Sequence, residues 1–189
     1  MDHRKNALSL ILVAVALVAS TWGCRGQRSP ERTLSGLGLV VTVPNEWDEE
    51  QGSAPFWVMA SESEGASSPM IRVDEEKDAI DLAGVESYLK DDRTVYGAGA
   101  DFAATPITAM TVAGATAWSY SVTFLDKGQR GVSIPKNYPG PVDVRTKRTS
   151  VFVRGTSKSV RLVYSAPLSL YDEYRPAFDT WLSSVRPAP

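Results

Sequence analysis

Sulfur and imidazole are almost absent from this 189-residue chain, which holds one cysteine, Cys24, and one histidine, His3. Both lie in its first 24 residues. A chain cut before Cys24 keeps 166 residues, no histidine, and a single thiol at its new N-terminus. That excludes Ser-His-Asp and Cys-His nucleophilic sites, histidine general bases, and nearly all zinc, copper or haem ligation. Carboxylate chemistry and oxygen-ligated cations survive. The densest acidic cluster, Asp74, Glu75, Glu76, Asp78 and Asp81, lacks the alternating ligands and central glycine of a calcium loop and reads as a solvated turn. There is no phosphate-cradling glycine loop and no nucleophile elbow. No catalytic residue, metal site or cofactor is expected, and the chain reads as a non-enzyme.

Long apolar runs are also scarce. The one that exists, Ala7 to Ser20, follows Arg4 and Lys5 and has 14 residues, against about 20 needed to cross a bilayer core as a helix. A charged start, a short apolar core and a small residue, Gly23, before Cys24 are the layout of an export signal. The segment resembles a bacterial lipoprotein signal, although Thr21 and Trp22 stand where such signals usually have a Leu-like residue and Ala or Ser. The resemblance implies a leader over 1–23, cleavage before Cys24, and a thioether-linked diacylglycerol on that thiol, with palmitate among the two or three acyl chains carried by the cysteine. The bilayer is then the first partner, through acylated Cys24. Two or three chains anchor firmly where one does not. Acylation also removes the odd thiol that an oxidising compartment would otherwise expose. Arg25 is not the aspartate that retains many enterobacterial lipoproteins in the inner membrane, so the resemblance favours the outer membrane, with the domain facing the periplasm of the cell envelope.

The length suits one domain. Residues 24–36 lack an apolar period and read as the lipidated N-terminus and a flexible tether, and 37–187 as the domain. Strand-like runs occupy Leu37 to Val43, Phe56 to Ser61 and Met70 to Val73. A helix follows behind an Asp81 cap, with Leu82, Val85 and Leu89 inward. Ile107 to Val112 and Thr116 to Phe124 form a hairpin in which Trp118, Tyr120, Val122 and Phe124 share one face. The Pro/Gly-rich stretch 127–147 reads as a long loop, a length that in compact domains accompanies function or disorder. Strands at Ser150 to Arg154 and Ser159 to Ser165 precede a closing helix with the stripe Tyr174, Phe178, Trp181, Leu182 and Val185. Pro176 places the start of that helix near Asp172 to Arg175.

The order Val43-Pro44-Asn45-Glu46-Trp47, mid-chain helix, Val112-Ala113-Gly114-Ala115 turn and closing Phe178-Asp179-Thr180-Trp181-Leu182-Ser183-Ser184-Val185 resembles the PsbP-like family, with its Mog, DcrB-like and LpqN-like members. The resemblance implies an α+β three-layer sandwich, an antiparallel sheet with helices on both faces. It supplies no shared catalytic set, and its members are mostly binding or accessory proteins.

The near-neutral total hides a charge asymmetry. Residues Glu31 to Asp126 hold 17 acidic and 5 basic side chains, whereas Lys127 to Arg161 hold 9 basic and one acidic. Such a basic stretch can recruit an anionic envelope polymer or an acidic envelope protein. Equally, the halves can neutralise each other across the sheet. The contact loop expected on this basis carries Arg130, Lys136, Tyr138, Arg145, Lys147 and Arg148. Nucleic acid is not expected, for want of a regular aromatic platform. The alternative is a small-ligand carrier with a pocket between sheet and helix lined by Trp57, Trp118, Tyr120 or Trp181.

Overall fold

The computed structural model describes residues 30–49, 54–60, 68–97, 101–127, 143–155 and 158–189. The leader, Cys24 and the tip of the long loop with Arg130, Lys136 and Tyr138 lie outside the described residues. The described residues form two antiparallel sheets and two α-helices. β1 (Glu31–Leu34), β2 (Leu39–Thr42) and β11 (Arg186–Pro187) form a small sheet in the order β1-β2-β11. The large sheet runs β3 (Trp47–Glu49), β4 (Phe56–Ala60), β5 (Met70–Glu76), β10 (Ser159–Pro167), β9 (Asp143–Val153), β8 (Ala115–Lys127) and β6 (Ala103–Ala104), with β7 (Thr108–Val112) also paired to β8. Helix α1 (Leu82–Tyr96) separates β5 from β6, and α2 (Tyr171–Ser184) separates β10 from β11.

Alternation along the strands assigns the two faces. Val58, Ile71, Val73, Leu162, Tyr164 and Val151 point one way and pack with Val41 of the small sheet and with Phe178 and Trp181 of α2. Tyr120, Val122, Phe124 and Phe152 point the other way and pack with Val85 of α1, with Tyr88, Leu89 and Tyr96 closing the rim. The result is the three-layer α+β sandwich, with a helix on each face of the large sheet. The four alternating residues of β8 share the α1 face as expected, Trp118 packing at the border of that core.

Local chemistry explains the helix ends. Asp81 caps α1 by accepting from the Gly84 amide at 2.9 Å, and the buried Ser159 hydroxyl accepts from the Ile80 amide at 2.7 Å, tying the helix entrance to β10. Leu82, expected inward, is 45% exposed, because the inward stripe of α1 begins at Val85. Helix α2 starts at Tyr171, so Pro176 sits in its second turn rather than its first. Proline removes the bond to the Asp172 carbonyl, and because Asp172 is exposed that loss falls at the solvent-facing side of the helix.

Three further readings change. Residues 31–36 are not spacer: β1 pairs with β2 from Glu31↔Thr42 to Leu34↔Leu39. The hairpin turns through Ser35–Leu37 and Gly38, whose φ of 63° lies in the left-handed region that glycine tolerates. β1 shows no apolar period because only Leu34 is buried. The first long strand is accordingly shorter than expected, Leu39–Thr42. The 127–147 stretch is not loop throughout, since β8 reaches Lys127 and β9 begins at Asp143, pairing Leu125 with Arg145 and Lys127 with Asp143. Arg145, Lys147 and Arg148 are therefore strand residues. The ribbon extends past the end of β10, whose last pair is Pro167↔Thr146.

The β7–β8 turn, Ala113-Gly114, has φ of 53° and 80°, the two-residue turn whose twist suits a tight hairpin. Among the described residues no helix is long and apolar enough to cross a membrane.

Candidate binding surface

The acidic and basic halves of the chain meet across the fold. Arg145 pairs with Asp101 at 3.3 Å, Arg148 with Asp92 at 2.5 Å, and Lys158 with Glu75. Each pair takes its cation from the basic stretch and its carboxylate from the acidic one. Much of the asymmetry is thus internal neutralisation, and the expected contact residues divide into different environments.

Arg148 is on the α1 face and nearly enclosed, its side chain 12% exposed, as is that of Asp92. The second Asp92 oxygen accepts from the Tyr120 hydroxyl at 2.8 Å, so helix, β8 and β9 are clamped by one carboxylate. Burial works against the Arg148 charge, yet hydrogen bonding and attraction to Asp92 leave its pKa above the ordinary value. Burial, reinforced by the Asp92 charge, raises the Tyr120 phenol. Beside this clamp the Arg161 guanidinium lies against the packed Tyr88 and Phe152 rings, 5.4 and 5.6 Å from their centres. Tyr88 bonds to Glu76 and is pushed up to about 12, chiefly by burial. These cations hold the fold together and are poorly placed to meet a partner.

Lys147 points to the opposite face. Its ammonium sits 4.1 Å from the centre of the Tyr171 ring, at the start of α2. The Tyr171 hydroxyl meets Thr149 and accepts from Arg175 at 2.9 Å. Thr149 in turn meets Ser121 at 2.6 Å, and Tyr164 donates to the Tyr171 carbonyl at 2.7 Å. Arg175 is further held by Asp179 at 2.8 Å. Among the described residues Lys147 has no carboxylate partner, and Arg145, more than half exposed, flanks it on the same face. The surface thus offers a cation held by aromatic and hydroxyl groups at the base of the projecting ribbon. It suits an anionic or hydroxyl-rich ligand and holds no nucleophile poised beside a base. Sequence reasoning found Lys147 but missed Tyr171 and Arg175. Their spacing of four on a helix beginning in Tyr-Asp-Glu was the available signal.

The acidic cluster is mostly engaged rather than simply solvated. Asp74 pairs with Arg72 at 2.9 Å, Glu75 with Lys158, Glu76 with Tyr88, and Asp81 caps α1. No group of three acidic, histidine or cysteine side chains among the described residues can hold a metal ion. Of the four aromatics considered for a ligand pocket, Trp181 stacks between Phe56 and Phe178, and Tyr120 stacks on Phe152. At both positions side chains fill the space between sheet and helix. Trp118 is half-buried at the rim, and Trp57 lines a small cavity of about 310 Å³ with Arg72 and Asp74. A wider cleft of about 770 Å³ opens between the two sheets, walled by Leu37, Ala115, Val153, Arg154 and Lys158.

Asp126, on the ribbon, is half-buried and its pKa is raised above 3.8 by burial, with Asp143 adding to the rise and Arg148 opposing it. A carboxyl whose folded pKa lies above its unfolded one favours folding only while protonated, so this contribution is lost as pH rises through the folded pKa. Asp126→Asn is therefore expected to raise the melting temperature at pH ~7, with the gain vanishing towards pH ~3. Thermal denaturation across that range checks it, and an equal gain at both ends refutes the assignment.

Comparison of the whole fold with solved structures agrees with this architecture. LpqN of Mycobacterium tuberculosis, a protein involved in cell envelope biogenesis, superposes with a TM-score of 0.52 at 14% identity, covering 87% of this chain and 88% of that one. The cyanobacterial PsbP of Synechocystis gives 0.54 at 14% identity, covering 90% and 98%. The chain has the PsbP-like fold. The Ran-binding protein Mog1p of Saccharomyces cerevisiae, at 0.52 and 14% identity over 84% and 94%, shares it. No family model and no curated protein matches at the level of sequence. At such identities the PsbP-like likeness extends to the path of the backbone and to no individual site residue.

Proposed function

We propose that this PsbP-like domain is a non-catalytic binding protein of the cell envelope, lipid-anchored through Cys24 and facing the periplasm from the outer membrane. It engages an anionic envelope component, an acidic protein or polymer, through the β8–β9 ribbon. The observation that carries the reading is Lys147, a cation without a carboxylate partner among the described residues, held on Tyr171 beside exposed Arg145. LpqN, with the same fold and a role in envelope biogenesis, and Mog1p, a Ran-binding protein, support binding rather than catalysis as the use of the fold. Arg130, Lys136 and Tyr138, which lie between the two arms of the ribbon in sequence and outside the described residues, belong to the same proposed contact segment. Arg148 is withdrawn from it by Asp92.

The test follows from that division. Replacing Arg130, Lys136, Arg145 and Lys147 by Gln, with Arg148 left intact, abolishes co-purification of the partner from native membranes and changes stability by less than about 1 kcal/mol. Raising salt weakens the wild-type complex in the same direction. Unchanged capture by the quadruple variant refutes the role of the ribbon. Mass spectrometry of the mature N-terminus tests the anchor separately: an unacylated Cys24 refutes it without touching the binding surface.

A further inference from the structure

The edge of the large sheet that β6 and β7 form along β8 differs from the other strand edges among the described residues, and β6, only Ala103–Ala104, is uncharged like β7 but too short to pair far. β1 carries Glu31 and Arg32, β3 carries Asp48 and Glu49, and β11 carries Arg186 and Pro187. Charges and proline at such places block pairing with another chain. β7 has none of these guards: its five residues are Thr-Ala-Met-Thr-Val, and no charged residue occurs anywhere from Phe102 to Leu125. Thr108, Ala109 and Thr111 are exposed.

The hairpin register shows which backbone groups the edge presents. A two-residue turn makes Val112 and Ala115 a hydrogen-bonded pair, and alternation then places Met110↔Ala117 and Thr108↔Ser119 in the same class. Ala109 and Thr111 occupy the intervening positions, so their N–H and C=O groups point away from β8. The Thr116 carbonyl, opposite Thr111, confirms the phase by accepting from the Arg154 amide at 2.9 Å on the far side of β8. Among the described residues nothing pairs with the outer side of β7.

We infer that β7 is a homodimerisation edge, at which two copies of this chain pair antiparallel about a two-fold axis through Met110. Ala109 of one copy then exchanges both backbone hydrogen bonds with Thr111 of the other, giving four bonds and joining the two large sheets into one. A second copy is the occupant favoured by the residues themselves. The strand is self-complementary under a two-fold, its threonines suit cross-strand pairing, and the absence of charge removes both repulsion between copies and any feature that would select a charged partner. The inference is independent of the ribbon, which lies at the other end of β8. With one short strand from each copy, the contact belongs to the weak, concentration-dependent class.

Sedimentation equilibrium of the full chain in density-matched detergent tests it. The wild type dimerises with concentration. Thr111→Pro removes only an outward N–H, leaves the β7–β8 ladder intact, and weakens dimerisation at least about tenfold. Thr111→Lys, which places a charge at the edge, has the same effect and serves if the proline variant fails to fold. A wild type monomeric at every concentration overturns the inference, whether or not it captures some other protein, and so does a dimer that survives the substitutions.

Discussion

Asp92→Ala destabilises the domain by about 3–5 kcal/mol, as expected when one member of a buried ion pair is removed and the other charge stays behind. The figure applies because both side chains of the Asp92–Arg148 pair are only 12% exposed, which sets it apart from the other bridges, such as Arg32–Glu49 at 51% and 42% exposed. Exposed pairs of that kind contribute about 1 kcal/mol or less. Asp92 also accepts the Tyr120 hydroxyl, so the variant strands two donors rather than one. For a domain of this size the loss corresponds to a fall in melting temperature of roughly 10 °C. Arg148→Ala costs a similar amount. The triple variant Asp92→Leu, Arg148→Met, Tyr120→Phe recovers most of it, because replacing every polar partner by apolar volume leaves nothing unsatisfied. Thermal and urea denaturation of the three proteins check this. A triple variant no more stable than Asp92→Ala rejects the explanation.

Trp181→Ala is expected to cost about 3–5 kcal/mol, the range for emptying a large aromatic from a closed core. Trp181 is 2% exposed and joins Phe56 of β4 to Phe178 of α2 through two stacked contacts, with ring centres 5.9 and 5.8 Å apart. Its indole N–H is buried with no hydrogen-bond partner among the described residues. Trp181→Phe keeps much of the stacking and removes that unsatisfied donor, so it costs well under half as much. Trp118→Ala, at a half-buried position, falls between. Urea midpoints rank the three. A Trp181→Phe variant as unstable as Trp181→Ala shows that the stacking is not what the indole supplies.

The large β5–β10 pairing explains why part of the architecture was hidden. Met70 to Glu76 pair with Ser159 to Ser165 across more than eighty residues of chain, and no local pattern announces that partnership. The ribbon shows the same limit. Its arms look like loop because Asp143, Arg145 and Lys147 interrupt any apolar period, yet pairing with β8 satisfies their backbone. In β1 only one of four side chains is buried, so periodicity had nothing to register. The ion pair of Asp92 and Arg148 joins residues 56 positions apart. Counting charges foresaw neutralisation between the halves, but not which cations it would consume.

What the sequence determined by itself is whatever rests on composition or on neighbours in the chain. The chain beyond His3 holds no histidine, which leaves the domain without histidine-based nucleophilic or metal chemistry. The Asp81 cap, the alternation of Trp118, Tyr120, Val122 and Phe124, and the apolar stripe of α2 are local patterns, and each forms as read. The three-layer α+β sandwich came from the resemblance to the PsbP-like family rather than from these patterns themselves. The tertiary structure alone decided which of several similar cations are spent inside the fold and which stay available. The cost of burying a charge depends on what lies across the sheet from it: Arg148 meets a carboxylate on α1 and is sequestered, whereas Lys147, its neighbour in sequence, points to the other face, meets an aromatic ring, and has no carboxylate partner among the described residues.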